Sequence, residues 1–509
     1  MYRRFGWLAA FLLLGATAAP AESPRLSDSS GKIVEEIWEA AHLDGVKIGS
    51  VHTTVRTVGA EEKRLRATVA LELTFKRHNA TMQLRMEQGD EETVEGAVVG
   101  VFMRQYQDQG QKVALSGALD DDGRMHVQID GGRIDRRLRW SDEIIGVHRL
   151  DHLFEDRKPA PGSRFAFPSY QPTLNAVVPI RVAVKDEEVV PLAGGRKSLL
   201  RVELRPDKIE APGLSIQLPA EVWWLNSDFI PVRRQIELEG LGLVILTRTT
   251  RELATAGAAG RLPDLNQKNL IPLNRLIPRS YATRGAVYRV TLRDDPEPET
   301  AFVSDGHQDV IAGKTGILEL HVHPVRPGAA KAAAARIAAE FLESCHFIDS
   351  DDARVRQLAR QAAGAEKDSW KIALRIERWV KQNMRPDDGA ALGPASQVAR
   401  ELRGDCRGYA FLTAALCRAE SIPARTAVGL IYVEKAAKPY FGFHMWTEVN
   451  IDGRWIGLDG TLGRGGIGAE HIKVADHSWH NMESLTPLLP VNRILGKTTI
   501  EIVSVEAGE

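Results

Sequence analysis

Cysteine is scarce in this chain of 509 residues: Cys345, Cys406 and Cys417 are the whole complement. Three cysteines make no disulfide framework, so each thiol must be explained singly. Net charge is lacking as well. With 66 basic and 67 acidic side chains the formal charge is -1, which builds in no general attraction to nucleic acid or to an anionic membrane, and neither is expected as a partner. There is no long low-complexity block, and beyond the first residues no apolar run of about 18 residues that would span a bilayer. A soluble multidomain protein is what these absences leave, because one core rarely serves so long a chain.

The start, "MYRRFGWLAAFLLLGATAAPAES", has two arginines, an apolar run from Phe5 to Leu14 and small residues ending Ala19-Pro20-Ala21. That order reads as a secretory signal over residues 1–21, cleaved after Ala21, and places the mature chain in the periplasm or outside the cell. The apolar run is short for an uncleaved anchor, and no cysteine follows it to carry a lipid.

From about residue 30 to 250 the apolar pattern has period two. In "RLRATVALELTF", Leu65, Val69, Leu71, Leu73 and Phe75 alternate with polar partners, and "IRVAVK" and "QIELE" repeat the pattern between turn residues. Asp44-Gly45 and the "DDDG" ending at Gly123 are hairpin-type turns. An antiparallel all-β domain is expected over 22–252, sandwich-like or a curved open sheet. Periodicity is lost over 253–282, the expected linker, and a short β-rich segment follows at 283–327. There His321 and His323 share a strand face, but no third ligand accompanies them and no metal is assigned.

After Pro327 the period becomes 3.6. "AAKAAAARIAAEFLESC", "DARVRQLARQAAG" and "SWKIALRIERWVKQNM" predict three helices, the second and third with caps near Asp351 and Ser369. "GPASQVAREL" predicts a fourth, and a fifth begins near Cys406. Strands return in "ARTAVGLIYV", "FHMWTEVNI" and "RWIGLD", the last two joined by Asp452-Gly453. Helices followed by antiparallel strands predict an α+β domain over 328–505.

Cys406 follows Gly-Asp and opens a helix, where the helix field stabilises a thiolate. On that helix Cys417 is roughly 16 Å further along the axis, too far for a disulfide. No second Cys or His lies at zinc-ligand spacing around Cys406. A thiolate nucleophile needs an imidazole to hold and return a proton, and His444 on the following hairpin is the candidate. Asp459, at the end of the paired strand, is expected within a residue or so of His444 across the ladder, as the group that orients it. Singly, each residue has a common structural explanation. Together they fill the roles of nucleophile, base and orienter.

"GDC", "CRAESIPARTAVG", "HMWTEVNIDGRWIGLDGTLG" and the tail "GIGAEHIKVAD" resemble the core of the transglutaminase-like superfamily, particularly secreted bacterial members, over roughly residues 330–480. The resemblance implies a papain-like thiol enzyme that transfers acyl groups from amides, with Cys406 as nucleophile, His444 as base and Asp459 as orienter. Two features depart from it: Arg407-Gly408-Tyr409 stands where many bacterial relatives have Thr-Glu-His, and Gly460 replaces a frequent Pro or Ala. Trp446 is expected to wall the pocket beside His444, and Tyr409 and Arg407 to be pocket residues or helix surface; Gln397 by default is helix surface, and by type it is the alternative second oxyanion donor after the Cys406 N–H.

The expected function is thus an exported thiol acyltransferase or hydrolase acting on protein or peptide, with hydrolysis favoured because glycines at "GRGGIGAE" and Gly442 read as an open, mobile rim. No cofactor is expected, and activity should survive chelation. The alternative is a degenerate envelope scaffold that keeps the fold and binds through the β domain. Alkylation of Cys406 at mildly acidic pH separates the two.

Overall fold

The computed structural model describes residues 31–507 apart from 59–63, 78–79, 108–109, 130–133, 193, 212–213, 217, 239–241, 258–261, 265–269, 294, 296, 314–315, 329–336, 388–392 and 481–485. The expected signal segment lies outside the described residues. The chain divides into two compact units, Met1–Leu265 and Asn266–Glu509.

The first unit is built on one antiparallel sheet of 14 strands among the described residues. From Ile33–Leu43 the sheet runs one way as a meander out to Ile134–Arg139. On its other side come Gly242–Thr249, Pro231–Leu238, Glu221–Leu225, Gly195–Pro206, Ala176–Leu192 and Arg164–Gln171. The period-two pattern is the cause: Val69, Leu71, Leu73 and Phe75 are buried on one face while Glu72 between them is exposed. Each such side chain contributes about 1.5–3 kcal/mol when fully buried. Asp44 and Gly45 take φ of +46° and +81°, the primed turn that matches the twist of the paired strands. At the "DDDG" turn Asp120 accepts the N–H groups of Asp122 and Arg124.

Within this β unit the chain also forms a helix that period two did not predict, α1 (Val147–Arg157). Its Leu150, Leu153 and Phe154 recur at helical spacing and are buried. Carboxylates from a neighbouring strand receive its first N–H groups, Asp90 from Val147 at 2.7 Å and Glu92 from His148 at 2.9 Å. A second helix, α2 (Arg251–Thr255), is capped by Thr250 and lies at the start of the expected linker.

The second unit carries α3 (Ala353–Ala363), α4 (Ser369–Asn383), α5 (Ala395–Glu401) and α6 (Cys406–Ala419). Asp352 and Asp368 cap α3 and α4, each one residue from the expected cap. Of the helix expected over 329–345, the described residues form only a 3-10 turn at Ala339–Phe341. Alanine propensity is a weak force beside tertiary contacts. Here the Phe341 ring packs on Trp455 at 4.9 Å, and the Glu343 carbonyl is taken by the buried Arg418 guanidinium.

From Arg407 to Arg418 every residue of α6 is buried, so it is the central helix of the unit. It lies on the hairpin Ala424–Lys435 and Lys438–Ile451, where Thr447 Oγ1 donates to the Ala410 carbonyl. Arg454–Leu458 extends the hairpin through the Asp452-Gly453 turn, both residues at positive φ, and His471–His477 pairs on the far side. A four-stranded sheet joins Thr283–Leu292, Gln308–Ala312 and Ile317–Val322 to the C-terminal strand Thr498–Ala507. Among the described residues no helix is long and apolar enough to cross a membrane.

Candidate active site

Asp405 fixes where α6 begins. Its carboxylate caps the helix by accepting the Arg407 N–H at 3.0 Å, and the Arg407 guanidinium closes on the same group at 2.6 Å. Both side chains are buried, and burying the pair leaves each charge compensated. Arg407 is therefore neither a pocket residue nor helix surface. Cys406, the first helical residue, remains half-buried at the N-terminal end of the helix, where the helix field is positive.

His444 lies in the middle of Lys438–Ile451 and faces that start. Its Nε2 is 2.7 Å from Asp459 Oδ2, which leaves Nδ1 to face Cys406, a neighbour close enough to help raise the pKa of the ring. Asp459 does not sit directly across the ladder from His444. Thr447 pairs with Leu458, so Asp459 comes opposite Trp446 and reaches His444 along the diagonal. The backbone of Gly429, opposite His444, lies so close to the next strand that a Cβ there would stand 2.0 Å from the Ile472 carbonyl oxygen. Only glycine allows that approach.

Burial disfavours the charged imidazole, but the Asp459 carboxylate and Cys406 outweigh it and raise the His444 pKa to about 10. Asp459 is likewise buried, and the two imidazoles beside it hold it well below the usual carboxylate range. Its other oxygen accepts the Thr461 N–H at 2.8 Å and the Thr461 hydroxyl at 2.6 Å. An imidazolium paired with an ionised carboxylate is the arrangement these contacts favour.

Two residues of the site did not emerge from the sequence. His471 is completely buried, and its Nε2 lies 3.2 Å from Asp459 Oδ2, the oxygen that His444 uses. The two imidazoles and the carboxylate are within 4.8 Å of one another, and their contacts are of hydrogen-bond length. Glu377 of α4 accepts the Asp459 N–H at 3.0 Å and also those of Gly465 and Gly466, at 2.7 and 3.2 Å. Burial raises Glu377 to about 7, against the pull of those three donors. Its signal was available: Ala373, Ile376, Glu377 and Val380 form one helical stripe, and an acid in an apolar stripe needs a buried partner. His471 gave no such signal, because its strand order is not written locally.

The expected pocket residues fare differently. Trp446 is 1% exposed, packed with Ala427 and Ile467, and lies beside both imidazoles. Tyr409 is 3% exposed and points inward, so it is not helix surface. The Gln397 amide donates to Glu401 along its own helix at 2.9 Å. The glycine-rich stretch is not an open, mobile rim: Glu377 pins Gly465 and Gly466, and within 463–470 only Arg464 and Gly465 are exposed. Gly460 is explained by space, since a Cβ there would stand 2.7 Å from Thr413 Oγ1 and 2.9 Å from Val380 Cγ1. All three cysteines are free; Cys417 is buried in α6, and Cys345 meets the Arg418 guanidinium at 3.7 Å.

Residues 356–460 match the transglutaminase-like superfamily, so the C-terminal unit carries a transglutaminase-like core that includes Cys406, His444 and Asp459. No curated protein matches the chain. Solved structures are similar to parts of it, among them the following three. A candidate cysteine protease from Cytophaga hutchinsonii is 17% identical over 42% of this chain and 83% of its own, with a TM-score of 0.27. The periplasmic domain of TgpA from Pseudomonas aeruginosa, bound to ethylmercury, is 15% identical over 38% and 83%, at 0.26. A β-barrel-like protein of the unknown-function domain DUF1849 from Brucella abortus is 12% identical over 42% and 95%, at 0.32.

Proposed function

We propose that this protein is an exported thiol-dependent acyl-transfer enzyme acting on amide or peptide bonds of a protein or peptide substrate. The observation that carries the reading is the convergence of Cys406, first residue of a buried helix, on His444, whose pKa it helps to raise and whose Nε2 is 2.7 Å from Asp459. The leader-like first 21 residues support export. The β unit is the candidate for contact with the envelope.

In this mechanism the Cys406 thiolate adds to the carbonyl carbon, and the Cys406 N–H receives the developing oxyanion. The His444 imidazolium gives its proton to the leaving nitrogen as the C–N bond breaks, leaving a thioester and a neutral imidazole. Water then attacks the thioester, His444 takes its proton, and the thiolate leaves as the acid product is released. Asp459 holds the ring with Nε2 facing it throughout, which keeps Nδ1 toward the sulfur.

Hydrolysis is favoured over transfer to an amine for a reason other than a mobile rim. Trp446 and Tyr409, the aromatic side chains that would roof a thioester against water, are packed inward. Incubation with a glutamine-containing peptide and excess primary amine, with ammonia, cleaved peptide and adduct measured by mass, tests both levels. Hydrolysed product should dominate and vanish in Cys406→Ala. An amine adduct in excess would make the enzyme a transamidase, and equal turnover in Cys406→Ala would end the thiol mechanism.

A further inference from the structure

We propose that Glu35, His148 and His152 form a divalent-metal site of the zinc class in the N-terminal unit. His148 and His152 are one turn apart on α1, so their imidazoles leave the helix on the same side. The ring centroids are 4.9 Å apart. Glu35 reaches them from the strand Ile33–Leu43. Its Oε2 is 3.6 Å from His148 Nδ1 and 3.6 Å from His152 Nε2, and the three ligand atoms all lie within 4.8 Å of one another.

Those separations are long for hydrogen bonds, which run to about 3.2 Å. They are close to the edge of a tetrahedron of ligands around zinc, about 3.3 Å when each bond is about 2.0 Å. Glu35 Oε2 and His148 Nδ1 are shielded from solvent without a hydrogen-bond partner, a condition that native structures seldom leave uncompensated. An ion between the three groups satisfies both atoms at once.

The donor chemistry agrees. Two imidazoles and one carboxylate suit zinc, whereas calcium and magnesium prefer sets made wholly of oxygen. Glu155 Oε2 stands 3.7 Å from His152 Nδ1, the ring nitrogen turned away from Glu35, where a carboxylate can orient a metal-bound imidazole. The side chains are 25%, 25% and 40% exposed for Glu35, His148 and His152, so a fourth position is open to water. The ion would fasten α1 to the sheet strand beneath it. His148 and His152 show helical spacing in the sequence, but Glu35 lies more than a hundred residues earlier, so the set exists only in the fold.

The test uses the untagged full chain carrying Cys406→Ala, which keeps zinc off the thiol. After treatment with EDTA and dialysis, zinc is titrated against a chromogenic chelator, and melting is followed with and without the ion. One zinc per chain should bind, raise the melting temperature, and show nitrogen and oxygen ligands without sulfur in X-ray absorption. Glu35→Gln and His148→Gln should each weaken binding by at least about 100-fold, and Glu155→Gln by about 10–100-fold, as for an outer partner. Should His148→Gln fail to fold, Glu35→Gln decides, since it is a near-isosteric change at a half-buried position. Equal zinc affinity in Glu35→Gln and the parent, sulfur in the absorption spectrum, or no stoichiometric zinc in the parent would each overturn the site.

Discussion

Asp459 is the residue on which the candidate site turns, because one of its oxygens serves two imidazoles and the other is held by Thr461. Asp459→Asn removes the charge that keeps the His444 proton in place. Turnover should fall by something on the order of 10³–10⁴, the scale seen when an orienting carboxylate is lost. The basic limb of kcat/KM, expected near pH 10, should move to lower pH, since His444 then loses its proton more readily. Stability follows the same sign. The raised His444 contributes fully below pH 6.5 and loses its contribution as pH climbs through 10, while the depressed Asp459 contributes above about pH 4 and loses it as pH falls. His471→Asn should act in the opposite direction on the rate profile: it removes a competing donor, and some positive charge, from Asp459, so the basic limb should rise. Turnover should still fall about tenfold from the looser carboxylate. A basic limb that moves down in both variants would refute this role for His471. Cys406, His444 and Asp459 could be singled out in the sequence as candidates because their residue types suit nucleophile, base and orienter, and the fold brings His444 and Asp459 together at 2.7 Å; His471 could not, because what matters is the oxygen it shares.

At the scale of elements, the patterns that could be read were those in which one local rule governs many residues. Alternation over Leu65 to Phe75 gave strands, and Asp44-Gly45 and Asp452-Gly453 gave primed turns. The failures arose where a tertiary partner overrides local propensity. α1 interrupts a β unit because Asp90 and Glu92 receive its N-terminus, and the alanine-rich approach to Cys345 yields a 3-10 turn among its described residues. The glycine-rich stretch is the same lesson reversed, since glycines that read as mobile are pinned by one buried glutamate. Glu377→Ala should therefore release the Gly465 and Gly466 amides, which hydrogen exchange would show as lost protection, and cost about 1–3 kcal/mol for buried donors left unpaired. Turnover should drop as well, because the Asp459 N–H loses the same acceptor. Unchanged protection at both glycines would show that the backbone alone holds the loop.

At the scale of the whole molecule, the match at 356–460 includes Cys406, His444 and Asp459 but not the whole folding unit. The compact unit begins at Asn266, and its second sheet closes only when Thr283–Leu292 pairs with Thr498–Ala507. Several buried contacts link this sheet to the strand that bears His471. The Tyr288 hydroxyl donates to the Ala469 carbonyl, His307 Nε2 meets the His471 carbonyl at 2.9 Å, and the Gln308 amide donates to the Lys473 carbonyl. Removing residues before 328 would expose those carbonyls and leave Thr498–Ala507 without its partner strand. It would also strip Asp305 from the buried Lys473 ammonium, which then keeps only Glu448 and Asp476. A fragment of 266–509 should thus fold with one cooperative melting transition and retain alkylation of Cys406 by iodoacetamide at the full-length rate. A fragment of 328–505 should be aggregated or lack a cooperative transition, although it holds Cys406, His444, Asp459 and His471. Equal solubility, cooperativity and alkylation rates for the two fragments would show that the second sheet is dispensable for the site, and that residues 266–327 serve another purpose.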